Sequence, residues 1–176
     1  MIISVEEAKK HITTTLDDSV LEAKLQALEL LVRKYTNNNF QNRNIRYRAD
    51  VSSNMIACDT MYFAVGDTVQ ISESTINEGI YNVTGILDGT DCLEVDANLF
   101  IEANVLVTKI VYPMDVKLGV VNMLKWDLEN RDKVGIQSET ISRHSVTYFN
   151  MDGDNSIMGY PKSLLGFLVP YMKARF

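Results

Sequence analysis

Near Asn42 the apolar residues stop recurring at steps of three and four and begin to alternate with polar ones; near Pro113 the helical spacing returns. Before the change, Leu21, Leu25, Leu28, Val32 and Tyr35 share one stripe of a helix expected over Val20 to Tyr35, with Asp17, Asp18 and Ser19 as candidate N-caps. After it, Ile45, Tyr47, Ala49 and Val51 alternate with Arg46, Arg48 and Asp50, as in a strand. Further strands are expected at Met61 to Ala64, Thr68 to Ser72, Ile80 to Leu87, Cys92 to Val95 and Asn104 to Tyr112, separated by turn-prone runs such as Asn77-Glu78-Gly79 and Asp96-Ala97-Asn98. A β-unit flanked by helical sequence reads as an insertion. The expected fold is therefore α+β: a small bundle of about four helices from residues 1–41 and 112–176, carrying a small antiparallel β-barrel or sandwich over 42–111.

The helical parts have their own punctuation. Ser4 and Glu7 form a capping-box pattern for a short helix over about residues 5 to 12, which Thr13, Thr14 and Thr15 break. The asparagines Asn37, Asn38 and Asn39 close the long helix, since Asn tolerates left-handed geometry. Pro113 and Asp115 open a helix bearing Val116, Val120, Met123, Leu124 and Leu128, with Gly135 as its stop. An extended, hydroxyl-rich segment follows from Ile136 to Tyr148. Pro161 starts a last helix with Leu164, Leu165, Leu168, Tyr171 and Met172 on its apolar side, kinked at Pro170.

Charge and chemistry narrow the function. A net charge of −6 and a pI near 4.9 oppose a protein that grips nucleic acid by neutralising phosphates. Cys58 and Cys92 belong to no C-x-x-C pair, so neither a disulfide framework nor a zinc site is expected and the thiols should be reduced, as in a cytosolic setting. The first residues lack a signal-peptide pattern, and no apolar run approaches the ~20 residues of a membrane span. Of the two histidines, His144 lies in Ser142-Arg143-His144-Ser145, where neighbours on an extended chain face opposite ways and cannot form a nucleophile and base. Asp152, Asp154 and Asn155 suggest a calcium loop, but the required glycine and final glutamate are absent. Glycine-rich phosphate loops and hydrolase motifs are lacking. No enzyme, metal or cofactor is expected. Arg43, Arg46 and Arg48, with Tyr47 between them, read first as a salt-bridged strand edge; the alternative is a β-barrel module binding a peptide or single-stranded nucleic acid. Trp126 is expected in the core or at an interface. Three amphipathic helices beside a separate β-unit leave apolar stripes short of partners, which points to assembly.

The ordered set of motifs resembles the head-tail connector (adaptor) proteins of tailed bacteriophages. It consists of the Val5-Glu6-Glu7-Ala8-Lys9 helix; Asp17-Asp18 opening a helix that closes with Tyr35-Thr36-Asn37 and Phe40; Pro113, Asp115, Val116 and Lys117; Gly135-Ile136, Ser138-Glu139, Ile141-Ser142, Ser145 and Thr147-Tyr148; and Tyr160-Pro161 with the terminal leucines. Shorter members join the helices by a loop where this chain has residues 42–111. The resemblance implies a structural virion protein of the neck, assembled in the bacterial cytoplasm. About a dozen copies would form a ring beneath the portal protein, extend the DNA channel and bind the next neck or tail-completion protein. DNA would pass an acidic wall without tight binding, and no membrane is involved. The resemblance implies portal docking through Leu164, Leu165, Leu168, Tyr171, Lys173 and Arg175, and a subunit junction at Ser138, Glu139, Ser142, Arg143, Ser145 and Tyr148.

Overall fold

The computed structural model describes residues 1–174 except 88, 135, 137, 142–143 and 148–153, and only the backbone at 133, 138–141 and 144–147. The chain divides into two compact units, Met1 with Asn39–Tyr112, and Ile2–Asn38 with Pro113–Phe176. The fold is α+β, with four helices and a four-stranded antiparallel sheet among the described residues.

In the helical unit, α1 (Val5–Lys9) begins at Ser4, whose Oγ accepts from the Glu7 amide at 3.1 Å. It ends at Lys9, short of the expected residue 12, with the Lys10 amide donating to the Glu7 carbonyl and the His11 and Ile12 amides to that of Ala8. α2 (Asp18–Thr36) ends on Asn37 in the left-handed region at φ 50°, as the run of asparagines predicts. α3 (Met114–Asn130) starts directly after Pro113 and runs into a single 3-10 turn, Arg131–Lys133. Gly135, its expected stop, lies outside the described residues. β5 (Ser138–Ile141) and β6 (His144–Thr147) form a hairpin, and β7 (Ser156–Ile157) and β8 (Tyr160–Pro161) a second one. The second turns on Met158 and Gly159, both at positive φ, the geometry of a tight type I′ turn.

The last element differs from expectation. Lys162–Tyr171 is a 3-10 helix rather than an α-helix kinked at Pro170. Ten residues is long for a conformation that seldom exceeds four without help. Help comes from its surroundings: Leu165 and Leu168 are fully buried, and Tyr171 Oη donates to the Asp115 carboxylate at 2.8 and 2.9 Å. The Asn38 side chain donates to the Tyr171 carbonyl, and the Lys173 amide to the Thr36 carbonyl at 2.8 Å. Gly119 on α3 leaves room for the Phe167 ring, which a Cβ there would displace.

The expected shortage of core is overturned. Leu21, Leu25, Leu28 and Val32 of α2 are at most 3% exposed, as are Val116, Val120, Met123 and Leu124 of α3. The stripes cover one another and the terminal 3-10 helix, so these apolar faces find their partners within the helical unit itself.

In the other unit β1 (Gln41–Ala57), β2 (Thr68–Ser72), β3 (Gly79–Leu87) and β4 (Cys92–Ile110) form one antiparallel sheet in the order β1-β4-β2-β3. β3 also pairs with the first residues of β4. The two separate strands expected at Cys92 to Val95 and Asn104 to Tyr112 are one strand. Asp96, expected in a turn, instead accepts from the Asn82 amide and side chain at 2.9 and 2.8 Å and holds the strand to β3. Register shifts along β1 and β4, with Ser53 and Asn104 at positive φ, bend the ladder. The strand expected at Met61 to Ala64 is a loop. Asp59 accepts from the Met61 amide and Asp67 from the Ala64 amide, removing donors a ladder would need. The core holds Val69, Ile71, Leu93, Val105 and Val107, all fully buried. At the ends of the unit, the Phe40 and Tyr112 rings lie 5.0 Å apart and the Val111 amide donates to the Phe40 carbonyl.

Candidate functional site

A charged node lies inside the helical unit. Asp127, 8% exposed on α3, accepts from Lys24 Nζ of α2 at 2.6 Å and from Arg131 Nε, one turn on, at 2.6 Å. Tyr160 Oη donates to the same carboxylate at 3.2 Å, and Arg131 donates onward to the Gly159 carbonyl at 3.0 Å. The guanidinium stacks 4.7 Å from the Tyr160 ring centroid and 5.3 Å from that of Trp126. Trp126 thus serves as packing, half-buried against Tyr160 and Arg131.

Burial pushes the Asp127 carboxyl up, but hydrogen bonds from Lys24 and Arg131 outweigh it and the net direction is down. Burial, then the Asp127 charge, pushes the Tyr160 hydroxyl up to about 12. Asp127 stays ionised and occupied by its partners, so it is a poor proton acceptor at neutral pH. Two clefts flank the node. The larger, about 490 Å³, is lined by Thr13, Thr14, Thr15, Glu129 and Asp132 as well as the node. Its three carboxylates outnumber Lys24 and Arg131, which disfavours an anion. The smaller, about 290 Å³, is largely apolar: Ala27, Leu28, Leu31 and Tyr160 beside Lys24, Asp127 and Arg131. No group of three or more His, Cys, Asp or Glu among the described residues could hold a metal ion.

The β-unit displays apolar side chains on segments that are tied down. In the loop between β1 and β2, Met61, Tyr62 and Val65 are 78%, 52% and 64% exposed. Lys109 Nζ holds that loop by donating to the Tyr62 carbonyl at 2.7 Å and to Asp67 at 2.5 Å. In the turn between β2 and β3, buried Asn77 bonds the backbone of Phe100 both ways, at 2.9 and 3.0 Å. Glu102 accepts from the Ser74 hydroxyl, the Thr75 amide and the Asn77 side chain, and these bonds hold its carboxyl below the usual range. Around this clamp Ile76, Phe100 and Ile101 stand exposed.

The residues singled out from sequence are dispersed. Leu165 and Leu168 are core residues whose side chains offer no surface to a partner, which corrects the docking face expected of them. Leu164 is half-buried, Tyr171 is engaged by Asp115, and Lys173 is exposed; Arg175 lies outside the described residues. The exposed apolar residues of that segment are Val169 and Met172. Ser138, Glu139 and Ser145 sit on the β5–β6 hairpin, of which the backbone is described, while Ser142, Arg143 and Tyr148 lie outside the described residues. On β1, Arg46 and Arg48 face away from half-buried Tyr47, which packs toward Phe63 at 6.1 Å. Arg48 pairs with Glu73, and Arg46 bonds Thr108 Oγ1. The basic and aromatic groups are thus on different faces, against a stacking groove.

Sequence reading missed Lys24, Asp127, Asn77 and Glu102. A signal existed for Asp127, a charge three and four residues beyond the buried Leu124 and Met123 and so on the apolar side of α3. None existed for Asn77, which sits in an ordinary turn sequence. No described helix is long and apolar enough to cross a membrane. Compared with models of known protein families and with curated proteins, the chain matches none.

Proposed function

We propose that the protein is a ring-forming head-tail connector of a tailed bacteriophage. It would be a non-enzymatic virion component seated under the portal protein, extending the DNA channel and binding the next neck protein. The observation that carries this reading is the pair of tied-down apolar displays on the β-unit, Met61-Tyr62-Val65 and Ile76-Phe100-Ile101. Exposed large apolar side chains on segments held in place suit a contact with another protein. The ordered helical motifs that resemble the connector family support the choice of partner, and the net charge of −6 suits a wall past which DNA slides.

In the same reading the sheet is a small barrel. Supporting this, β4 pairs with β1 on one side and with both β2 and β3 on the other, and the fully buried core belongs to a unit without helices. The portal contact would use Val169, Met172 and Lys173, the exposed residues of the C-terminal segment, rather than its buried leucines.

The test is reconstitution: the full chain is mixed with portal rings and imaged by negative stain, with native mass spectrometry of the isolated chain in parallel. Closed rings capping the portal are expected. A chain that stays monomeric and unbound in both experiments overturns the proposal.

A further inference from the structure

We infer that Lys162–Tyr171 is a two-state segment: a 3-10 helix kept stretched by a latch at its far end, which shortens into an α-helix over Lys162–Leu168 when the latch opens. The device is built within the helical unit alone. In the connector reading it would regulate the contact made by Val169, Met172 and Lys173.

The segment carries both periods in its sequence. Leu165, Leu168 and Tyr171 fall three apart, the spacing that a 3-10 helix stacks in one line, and in that form Leu165 and Leu168 are at most 1% exposed. Leu164 and Leu168 fall four apart, the spacing that an α-helix brings together, yet Leu164 is only half-buried. Residues 162–168 include no proline and no β-branched side chain, so Gly166 alone weakens an α form there. Pro170 sets its limit. It has no amide for the Gly166 carbonyl, and it turns Val169 away from α geometry.

The two ends hold the stretched form. At the near end the Lys162 amide donates to the Asn155 carbonyl at 2.9 Å. The latch lies beyond Pro170: Tyr171 Oη donates to the Asp115 carboxylate at 2.8 and 2.9 Å, and the Asn38 side chain to the Tyr171 carbonyl at 3.1 Å. The Lys173 amide reaches the Thr36 carbonyl at 2.8 Å, and the Asn37 side chain the Ala174 carbonyl at 2.8 Å. Over the six steps from Lys162 to Leu168 an α-helix is shorter by about 3 Å and turned back by about 120°. That change draws Tyr171 away from Asp115. A ten-residue 3-10 run has poorer internal bonds than the α-helix it replaces, and the latch offsets the difference. Its bonds from Tyr171 to Asp115 and from Asn37 to Ala174 are exposed, where water or a partner protein can replace them.

Nuclear magnetic resonance of the full chain tests this, through cross-peaks over residues 162–168 between the α proton of one residue and the amide proton of a later one. Pairs two residues apart mark the 3-10 form and pairs four apart the α form. The two-apart peaks should dominate in the unaltered chain. Tyr171→Phe keeps the ring and removes the donor, and should raise the four-apart to two-apart ratio by about ten-fold or more, as loss of a hydrogen bond to a charged group allows. Asp115→Ala should do the same from the other side of the latch, whereas Asp115→Asn keeps an acceptor and should hold the ratio near its unaltered value. A ratio unchanged in both Tyr171→Phe and Asp115→Ala, or loss of both sets of peaks, overturns the inference. Imaging the same proteins with portal rings separates it from the connector reading. If the ratio changes and no ring is capped, the two-state segment stands and the connector reading fails; if rings are capped and the ratio does not change, only the inference fails.

Discussion

The helical unit holds a charged node between its buried helix faces, whereas the polar side chains of the β-unit mostly bond the backbone of its loops and strands. Asp127 is surrounded by Lys24, Arg131 and Tyr160 between buried helix faces, while Asn77, Glu102, Asp67 and Asp96 each stitch a loop or strand end to a neighbouring backbone. The reason is geometric. Helices satisfy their own backbone groups and meet through side chains alone, so a polar side chain between them needs a side-chain partner. Bent strands and turns leave backbone donors and acceptors unpaired at their margins, and there a short polar side chain supplies the missing bond. Removing one polar group should therefore cost more in the helices than at the strands' rim.

The largest effect is expected at Asp127. Asp127→Ala leaves Lys24 and Arg131 facing each other and should cost about 3 kcal/mol in urea denaturation, discounted for the partly exposed cations. The same node sets acid sensitivity. Since the folded Asp127 carboxyl titrates below its unfolded value of about 3.9, its stabilisation is present above that value and is lost as pH falls toward the folded one. Asp127→Asn should flatten this part of a stability-versus-pH curve measured from pH 5 downward; an unchanged slope would assign the acid sensitivity elsewhere.

Asn77→Ala comes next, at about 2 kcal/mol, because it orphans the Phe100 amide and carbonyl together. A loss exceeding that of Asp127→Ala would reverse the contrast between the units. Gly119→Ala should cost about 1 kcal/mol: overpacking against Phe167 is partly offset by better helix propensity, and Phe167→Ala in the same chain should relieve it. Smallest is Arg48→Ala. Its exposed pair with Glu73 should be worth less than about 0.5 kcal/mol and vanish in high salt, so a larger loss would give the strand edge more weight than its exposure allows.

Local pattern was legible where burial follows a regular period. α2 runs Asp18–Thr36 against an expected 20–35, β2 coincides with its expected range, and β3 begins one residue earlier. Legibility ended where side chains compete for backbone groups. Asp59 and Asp67 turned an apolar tetrad into a loop, and Asp96 kept an expected turn inside a strand. It ended again where one element leans on another: the terminal segment, a 3-10 helix, is anchored on Gly119, Asp115, Thr36 and Asn38. The candidate surfaces were the least visible, since the same leucine pattern that announced a docking helix announced a buried one.

By itself the sequence determined the kinds of element, their order and the return from strand to helix at Pro113, because hydrophobic period and turn chemistry act over a few residues. Only the tertiary structure decided which apolar faces are used up and which remain. Burying Leu165 and Leu168 while leaving Phe100 and Ile101 in water depends on contacts between residues far apart in the chain, and those carry no local signature.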